Sequence, residues 1–235
     1  MEMYERGVTE EAQVTAEWED GVSWISHPGE KSQRASHALG TDAGVWLLDP
    51  LDAPTVDELV ASLGEVAGVA VLSAYHARDA GAIARRHDVS VSVPTWMDRV
   101  DERVDAPIER YTVAPGGPAA GFHTFPCRPF PLWQEVFLYH EPTATLVAPD
   151  SMGTCEVHRV GDERLGLSYL RRLQPPVELA GLEPERVLVG HGEPVTDHAA
   201  DALESALDGA RRSFPKALLA NGVDGTRAAL GAVRD

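Results

Sequence analysis

The sequence predicts a single α/β domain built as an αββα sandwich, two mixed β-sheets face to face with helices on the outer faces. Three observations predict it. Residues 69–93 read as strand, helix, strand, the first strand all apolar and the second, Val89–Val93, also buried, the pattern of a parallel βαβ unit. Residues 105–149 change character, to short apolar segments parted by Pro and Gly, the pattern of a second and mostly antiparallel sheet. The chain has 235 residues, 43% of them apolar, with no repeat, low-complexity tract or linker, so one domain over 1–235 is the simplest organisation.

The elements follow in order. Residues 1–13 are acidic and polar and are expected to be loose. Val14 to Ile25 is strand material with an Asp20-Gly21 turn at its centre, a hairpin signal, and His27-Pro28-Gly29 breaks it. Ser36–Leu39 and Gly44–Leu48 are two further strands, parted by a turn over 40–43 and closed by Asp49-Pro50. Residues 54–66 are predicted helical, with acidic residues in the first turn and an apolar stripe of Val56, Leu59, Val60 and Leu63. Val69–Leu72 is a buried strand, residues 78–87 a helix, and Val89–Val93 a strand stopped by Pro94. The second sheet draws on Tyr111–Val113, Gly121–Phe125, Glu135–Tyr139 and Ala144–Ala148. Leu165–Leu173 is predicted helical, and Arg186–Val189 is a strand leading into Gly190-His191-Gly192. Thr196 or Asp197 then caps a terminal helix over about residues 198–213, whose stripe of Leu203, Ala206, Leu207 and Ala210 suits packing on a sheet.

Charge narrows the function classes. The formal net charge is −17, and Lys31 and Lys216 are the only lysines among 20 basic residues. So acidic a surface repels nucleic acid and anionic membranes, so neither is expected as a partner. Such acidity with few lysines suits a protein of salt-loving archaea or an acidic protein from a GC-rich genome. Two cysteines, Cys127 and Cys155, make no disulfide framework and fit a reducing, cytoplasmic setting. The N-terminal stretch has no apolar core of a signal peptide, and no apolar run is long enough to span a bilayer.

The chemistry-bearing segments lie at strand ends, where α/β folds place ligand residues. Val71-Leu-Ser-Ala-Tyr75-His76-Ala-Arg78-Asp79-Ala80 follows a buried strand and opens a helix. Ala144-Thr-Leu-Val-Ala-Pro-Asp150-Ser-Met ends a strand on an aspartate, Val187-Leu-Val-Gly-His191-Gly-Glu-Pro-Val ends one on Gly-His-Gly, and Trp46-Leu-Leu-Asp49-Pro closes an early strand on an Asp turn. In order and spacing, over about residues 14–214, the set resembles the metallo-β-lactamase superfamily. That family carries His-x-His-x-Asp-His at the first of these places, a bridging aspartate at the second and a histidine at the third.

The departures bear on function. Aligned on Asp79, the motif's histidine positions hold Tyr75, Ala77 and Ala80, and His76 falls on a spacer. A register shifted by one makes His76 the second histidine but sets Arg78 and Asp79 on the Asp and His positions. The histidine that the family places between the two motifs has no counterpart in Cys127–Leu132, and His123 and His140 are off position. The resemblance therefore implies an empty first zinc site and a reduced second one of Asp79, Asp150 and His191, which would hold no metal or one divalent ion, Zn²⁺, Mn²⁺ or Fe²⁺. His76 is a general-base candidate, and Tyr75, Arg78 and Arg128 are candidates for a small anionic ligand. His27 and His37 read as structural and Cys127 as incidental. Two functions are carried forward: a non-catalytic descendant that binds a small anion or a protein partner, which the loss of imidazoles favours, and a hydrolase with one weakly held metal. Homodimerisation is a further expectation.

Overall fold

The structure, a computed structural model, describes residues 2–5, 7, 9, 12–113 and 117–234, with side chains to residue 223 in the last helix. The first sheet runs in chain order from β1 (Gln13–Trp18) through β2 (Gly21–Ile25), β3 (Ala35–Thr41), β4 (Gly44–Leu48), β5 (Val66–Ala70) and β6 (Val91–Pro94) to β7 (Ile108–Tyr111). Its first four strands are antiparallel, and β4 to β7 are parallel. Helix α1 (Val56–Ala61) makes the crossover from β4 to β5, and α2 (Ala80–Arg86) that from β5 to β6. The second sheet contains β8 (Phe122–Cys127), β9 (Glu135–His140), β10 (Thr145–Ala148) and, after the short hairpin of β11 (Met152–Gly153) with β12 (Gly166–Leu167), β13 (Arg186–Val189), in the order β13-β10-β9-β8. The last element is α3 (Ala199–Arg234).

The period-two alternation of each strand builds the layers. In β4, Trp46 and Leu48 face inward while Val45 and Leu47 face the helices; in β9, Val136 and Leu138 face inward while Phe137 faces out; in β13, Leu188 faces inward while Val187 and Val189 face out. The inward sets form the core between the sheets. Val45 and Leu47 pack with Val56 and Val60 of α1 and Ile83 of α2. Phe137, Val187 and Val189 pack with Ala202, Leu203, Ala206 and Ala210 of α3. The αββα sandwich of two mixed sheets is therefore observed.

Local differences have local causes. The helix expected over 54–66 stops at Ala61, because Gly64 takes φ 136° and the Glu65 carbonyl accepts the Val45 N–H, starting β5. Tyr111 belongs to β7 of the first sheet, paired in parallel with Pro94. Leu165–Leu173 is not helical: Gly166 lies so close to the His158 carbonyl that a Cβ there would be 2.4 Å from its oxygen, which fixes an extended segment paired with β11. The terminal helix passes through Pro215 to Arg234. Of the stretch expected to be loose, Glu2 and Met3 accept hydrogen bonds from Lys31 and Ser32 main-chain N–H groups at 2.9 and 3.2 Å, and residues 1, 6, 8, 10 and 11 lie outside the described residues. Among the described residues no helix is long and apolar enough to cross a membrane.

Main-chain hydrogen bonds join the two sheets where strand ends meet. Ala35 N–H donates to Gly190 O at 2.9 Å, and Val136 N–H to Leu72 O at 2.8 Å. His37 adds a side-chain link, Nε2 to Val189 O at 3.0 Å. This seam positions the candidate site.

Candidate metal centre

Three side chains converge at the seam. His76 lies in the loop after β5, Asp150 in the turn after β10 and His191 just after β13, with one potential ligand atom from each within 4.8 Å of the others. Asp150 Oδ1 stands 3.0 Å from His76 Nε2 and 3.2 Å from His191 Nε2.

The ring orientations follow from what holds the far nitrogens. His76 Nδ1 is 2.7 Å from Asp49 Oδ2, and His191 Nδ1 is 2.9 Å from the Ser32 carbonyl oxygen. A carboxylate and a carbonyl only accept, so each Nδ1 carries a proton, and each ring in its neutral form offers its Nε2 lone pair to the centre. Asp49 is itself fixed: its Oδ1 accepts the Leu72 N–H at 2.7 Å. Ser73 Oγ donates to Asp150 Oδ2. Glu135, fully buried, accepts the Asp150 and Ser151 N–H groups, both at 2.9 Å, and so holds the turn that carries Asp150. His158 stacks on His191 with ring centroids 5.4 Å apart. Gly190 leaves room for the close approach of His76, since a Cβ at that position would be 2.9 Å from His76 Cε1.

The electrostatics are those of a concentrated charge cluster. Burial pushes the Asp150 carboxyl up, but His76 and His191 outweigh it and hold it well below the usual carboxylate range. Burial and Arg78 push His76 down, yet Asp150 and Asp49 outweigh them and the net shift is upward. Burial first, and Asp150 second, push Glu135 up. Burial pushes His158 down to about 3, leaving a neutral ring against His191. Burial pushes the Cys155 thiol up to about 11 and raises Cys127 as well, which disfavours their thiolate forms at neutral pH.

The donor set fits one divalent ion. Two ligands about 2.0–2.1 Å from one ion at a tetrahedral angle stand about 3.3 Å apart, close to both observed N···O separations. With both Nδ1 atoms protonated, two Nε2 lone pairs and a carboxylate oxygen repel one another unless something electropositive lies among them, an ion or two extra protons. Outer partners on every ligand are also the usual company of a metal site. Arg78 opposes an ion. Its Nη2 lies 3.3 Å from His76 Nε2, close enough to take that lone pair, while its Nη1 is held by the Ala35 and Asp49 carbonyls at 2.6 and 2.7 Å.

Of the residues that the sequence puts forward, Asp150 and His191 meet and Asp79 stays outside the group, its Oδ2 accepting the Asp52 N–H at 2.9 Å. The chain turns at Arg78, at φ 40°, so that His76 faces the centre and Asp79 starts α2. Tyr75 and Arg78 line the same cavity, of about 710 Å³. Arg128 is absent from that lining; its guanidinium lies over the Trp96 ring, 5.3 Å from the centroid. His140 bonds Thr143 and His123 pairs with Glu141, away from the centre. Sequence reasoning missed Ser32, Glu135 and His158. None carries a local signal, since each acts through a partner distant in sequence.

No family model matches the chain, and no curated protein matches it. Solved structures do. A metallo-β-lactamase from Pontibacter korlensis superposes with a TM-score of 0.60 at 13% identity, over 86% of this chain and 99% of that one. The metallo-β-lactamase FIM-1 from Pseudomonas aeruginosa, in its mono-zinc form, gives 0.54 at 10% identity over 88% and 98%. A putative diflavin flavoprotein fragment from Nostoc gives 0.56 at 10% identity over 88% and 97%. The chain has the metallo-β-lactamase fold.

Proposed function

We propose that this chain is a metal-dependent hydrolase with one ion, held by His76, Asp150 and His191 at the floor of the cavity. The observation that carries the reading is the convergence of two outward-pinned imidazoles on one carboxylate oxygen, at 3.0 and 3.2 Å. Three protein ligands opening on a cavity leave a coordination position for substrate, the pattern of catalytic rather than structural ions. A divalent ion held there would supply Lewis acidity for hydrolysis. The chain's own residues supply the rest. Asp49 and Ser32 fix the two tautomers, Ser73 orients Asp150, and Glu135 holds the turn beneath it. Two imidazoles with one carboxylate accept Zn²⁺, Fe²⁺ or Mn²⁺, so identity follows supply as well as affinity. A structural neighbour is described in a mono-zinc form, which supports a one-ion reading here.

Arg78 supports a second reading, an ion-free pocket that binds a small anion without catalysis, because its guanidinium already reaches His76 Nε2. Elemental analysis separates the two. Protein stripped with chelator, then dialysed against each ion in turn, is expected to retain about one Zn²⁺, Fe²⁺ or Mn²⁺ per chain, and His191→Ala to retain less than about a tenth of that. Retention of no ion by the wild type would sink the hydrolase and leave the Arg78-filled pocket.

A further inference from the structure

The cavity above the three ligands has two chemically distinct parts. One wall is apolar and aromatic, built on the turn 130–133. Phe130 and Trp133 meet edge to face with centroids 6.2 Å apart, and Trp133 Nε1 donates to buried Glu135 Oε2 at 2.8 Å, which locks the indole. Leu132 is 73% exposed, and its carbonyl accepts the Tyr75 hydroxyl at 3.1 Å, so Tyr75 joins this wall to the floor. An exposed leucine beside a pinned indole is an apolar surface kept rigid without being covered, a low-entropy platform for a flat group.

The other part is rich in arginine donors, against the trend of the molecule. The chain carries −17, yet the cavity lining holds four arginines. Arg34 is paired with the buried Glu30 carboxylate behind it at 2.9 Å, which leaves Arg78, Arg99 and Arg103 to balance Glu5, Asp79 and Asp150. Arg99 lies over the Tyr75 ring, 4.9 Å from its centroid, which sets a cation at the edge of the aromatic wall. Two buried donors of the lining, Arg78 Nε and Ser168 Oγ, find no hydrogen-bond partner among the described residues. Buried donors without acceptors are costly, and an anionic oxygen is the group that satisfies them.

We propose that the cavity takes a small organic anion with a flat apolar body: the head at the arginine and serine donors near the floor, the body on the Phe130, Leu132 and Trp133 wall. This rests on the one-ion reading for what becomes of the ligand, but the ligand class stands on the wall and the donors alone. A cleft of about 710 Å³ suits a molecule of that size. Because the whole chain repels anions at long range, the local cations and apolar contact together select against small inorganic anions and against neutral aromatics.

The test is calorimetric titration of the ion-loaded full chain with three probes: 1-naphthoate, acetate, which has the head alone, and 1-naphthol, which has the body without the charge. Naphthoate is expected to bind at least about tenfold more tightly than either. Leu132→Asp, at an exposed position that should not disturb folding, is expected to weaken naphthoate at least about fivefold and leave acetate unchanged; Arg103→Glu, also at an exposed residue, is expected to weaken naphthoate severalfold and leave naphthol unchanged. Equal binding of acetate or naphthol with naphthoate, no binding of any probe, or indifference of naphthoate to both substitutions would overturn the assignment. Repeating the titration on stripped protein separates this claim from the preceding one. Selectivity for naphthoate in protein that retains no ion upholds the ligand class while the hydrolase fails. Loss of selectivity in protein holding its ion does the reverse.

Discussion

His37 sits at the seam of the two sheets, 1% exposed, with Nε2 3.0 Å from Val189 O and Nδ1 2.6 Å from Ser23 Oγ. Burial pushes its pKa down to about 4, against about 6.5 in the unfolded chain. Between those values the unfolded state binds the extra proton and the folded state does not, so this residue makes stability rise with pH across the window and fall on acidification. The full effect is about 3 kcal/mol. Urea unfolding at several pH values from about 4 to about 6.5 is expected to give a shallower dependence for His37→Gln than for the wild type. Equal slopes would show that His37 is not held neutral. The same scale explains why Glu135 escapes a reading of the sequence. It is one acid among 37, and only the fold brings four donors to it, the Asp150 and Ser151 N–H groups, the Ser151 hydroxyl and the Trp133 indole.

At the scale of the element, the end of β13 does most to shape the centre. A Cβ on Gly190 would lie 2.3 Å from Pro149 O and 2.9 Å from His76 Cε1, a main-chain atom and a buried ring. Gly190→Ala is therefore expected to cost about 1–3 kcal/mol and to weaken Zn²⁺ at least about tenfold, by urea unfolding and metal titration. Gly209→Ala is the control: a Cβ there meets nothing within 4 Å, so it should stabilise α3 by about 0.5–1 kcal/mol with no change at the metal. Unchanged zinc affinity in Gly190→Ala would remove the steric account. The Gly-His-Gly strand end was legible in the sequence because its spacing is local. The apolar strand segments Gly44–Leu48, Val69–Leu72 and Glu135–Tyr139 were legible for the same reason. The sheet to which Tyr111 belongs was not, since pairing between strands distant in the chain leaves no periodicity. The terminal helix was expected only to about residue 213, yet α3 continues through Pro215, because Pro215 and Arg211 are exposed and water can satisfy the carbonyl that loses its donor.

Taken as a whole molecule, two sheets back to back place three strand ends along one seam, and the metal candidates come from three such ends. The resemblance carried by Asp49, Asp150 and His191 was enough to locate that seam. It grouped Asp79 with Asp150 and His191, whereas the side chain that meets those two is His76, because a motif register cannot foresee a left-handed turn at Arg78. Of the arginine-lined cavity only Arg78 was legible, from its place beside the motif; Arg34, Arg99 and Arg103 were not, since the four are spread over some 70 positions and meet only in the fold. The claim that joins these scales is a single ion on two imidazoles and one carboxylate. X-ray absorption fine structure of the zinc-loaded protein tests it most directly. One ion on these ligands gives a nitrogen and oxygen shell at about 2.0–2.1 Å containing two imidazoles. A sulfur shell at about 2.3 Å, which would bring in Cys155, or a metal–metal distance of about 3.5–4 Å would contradict it.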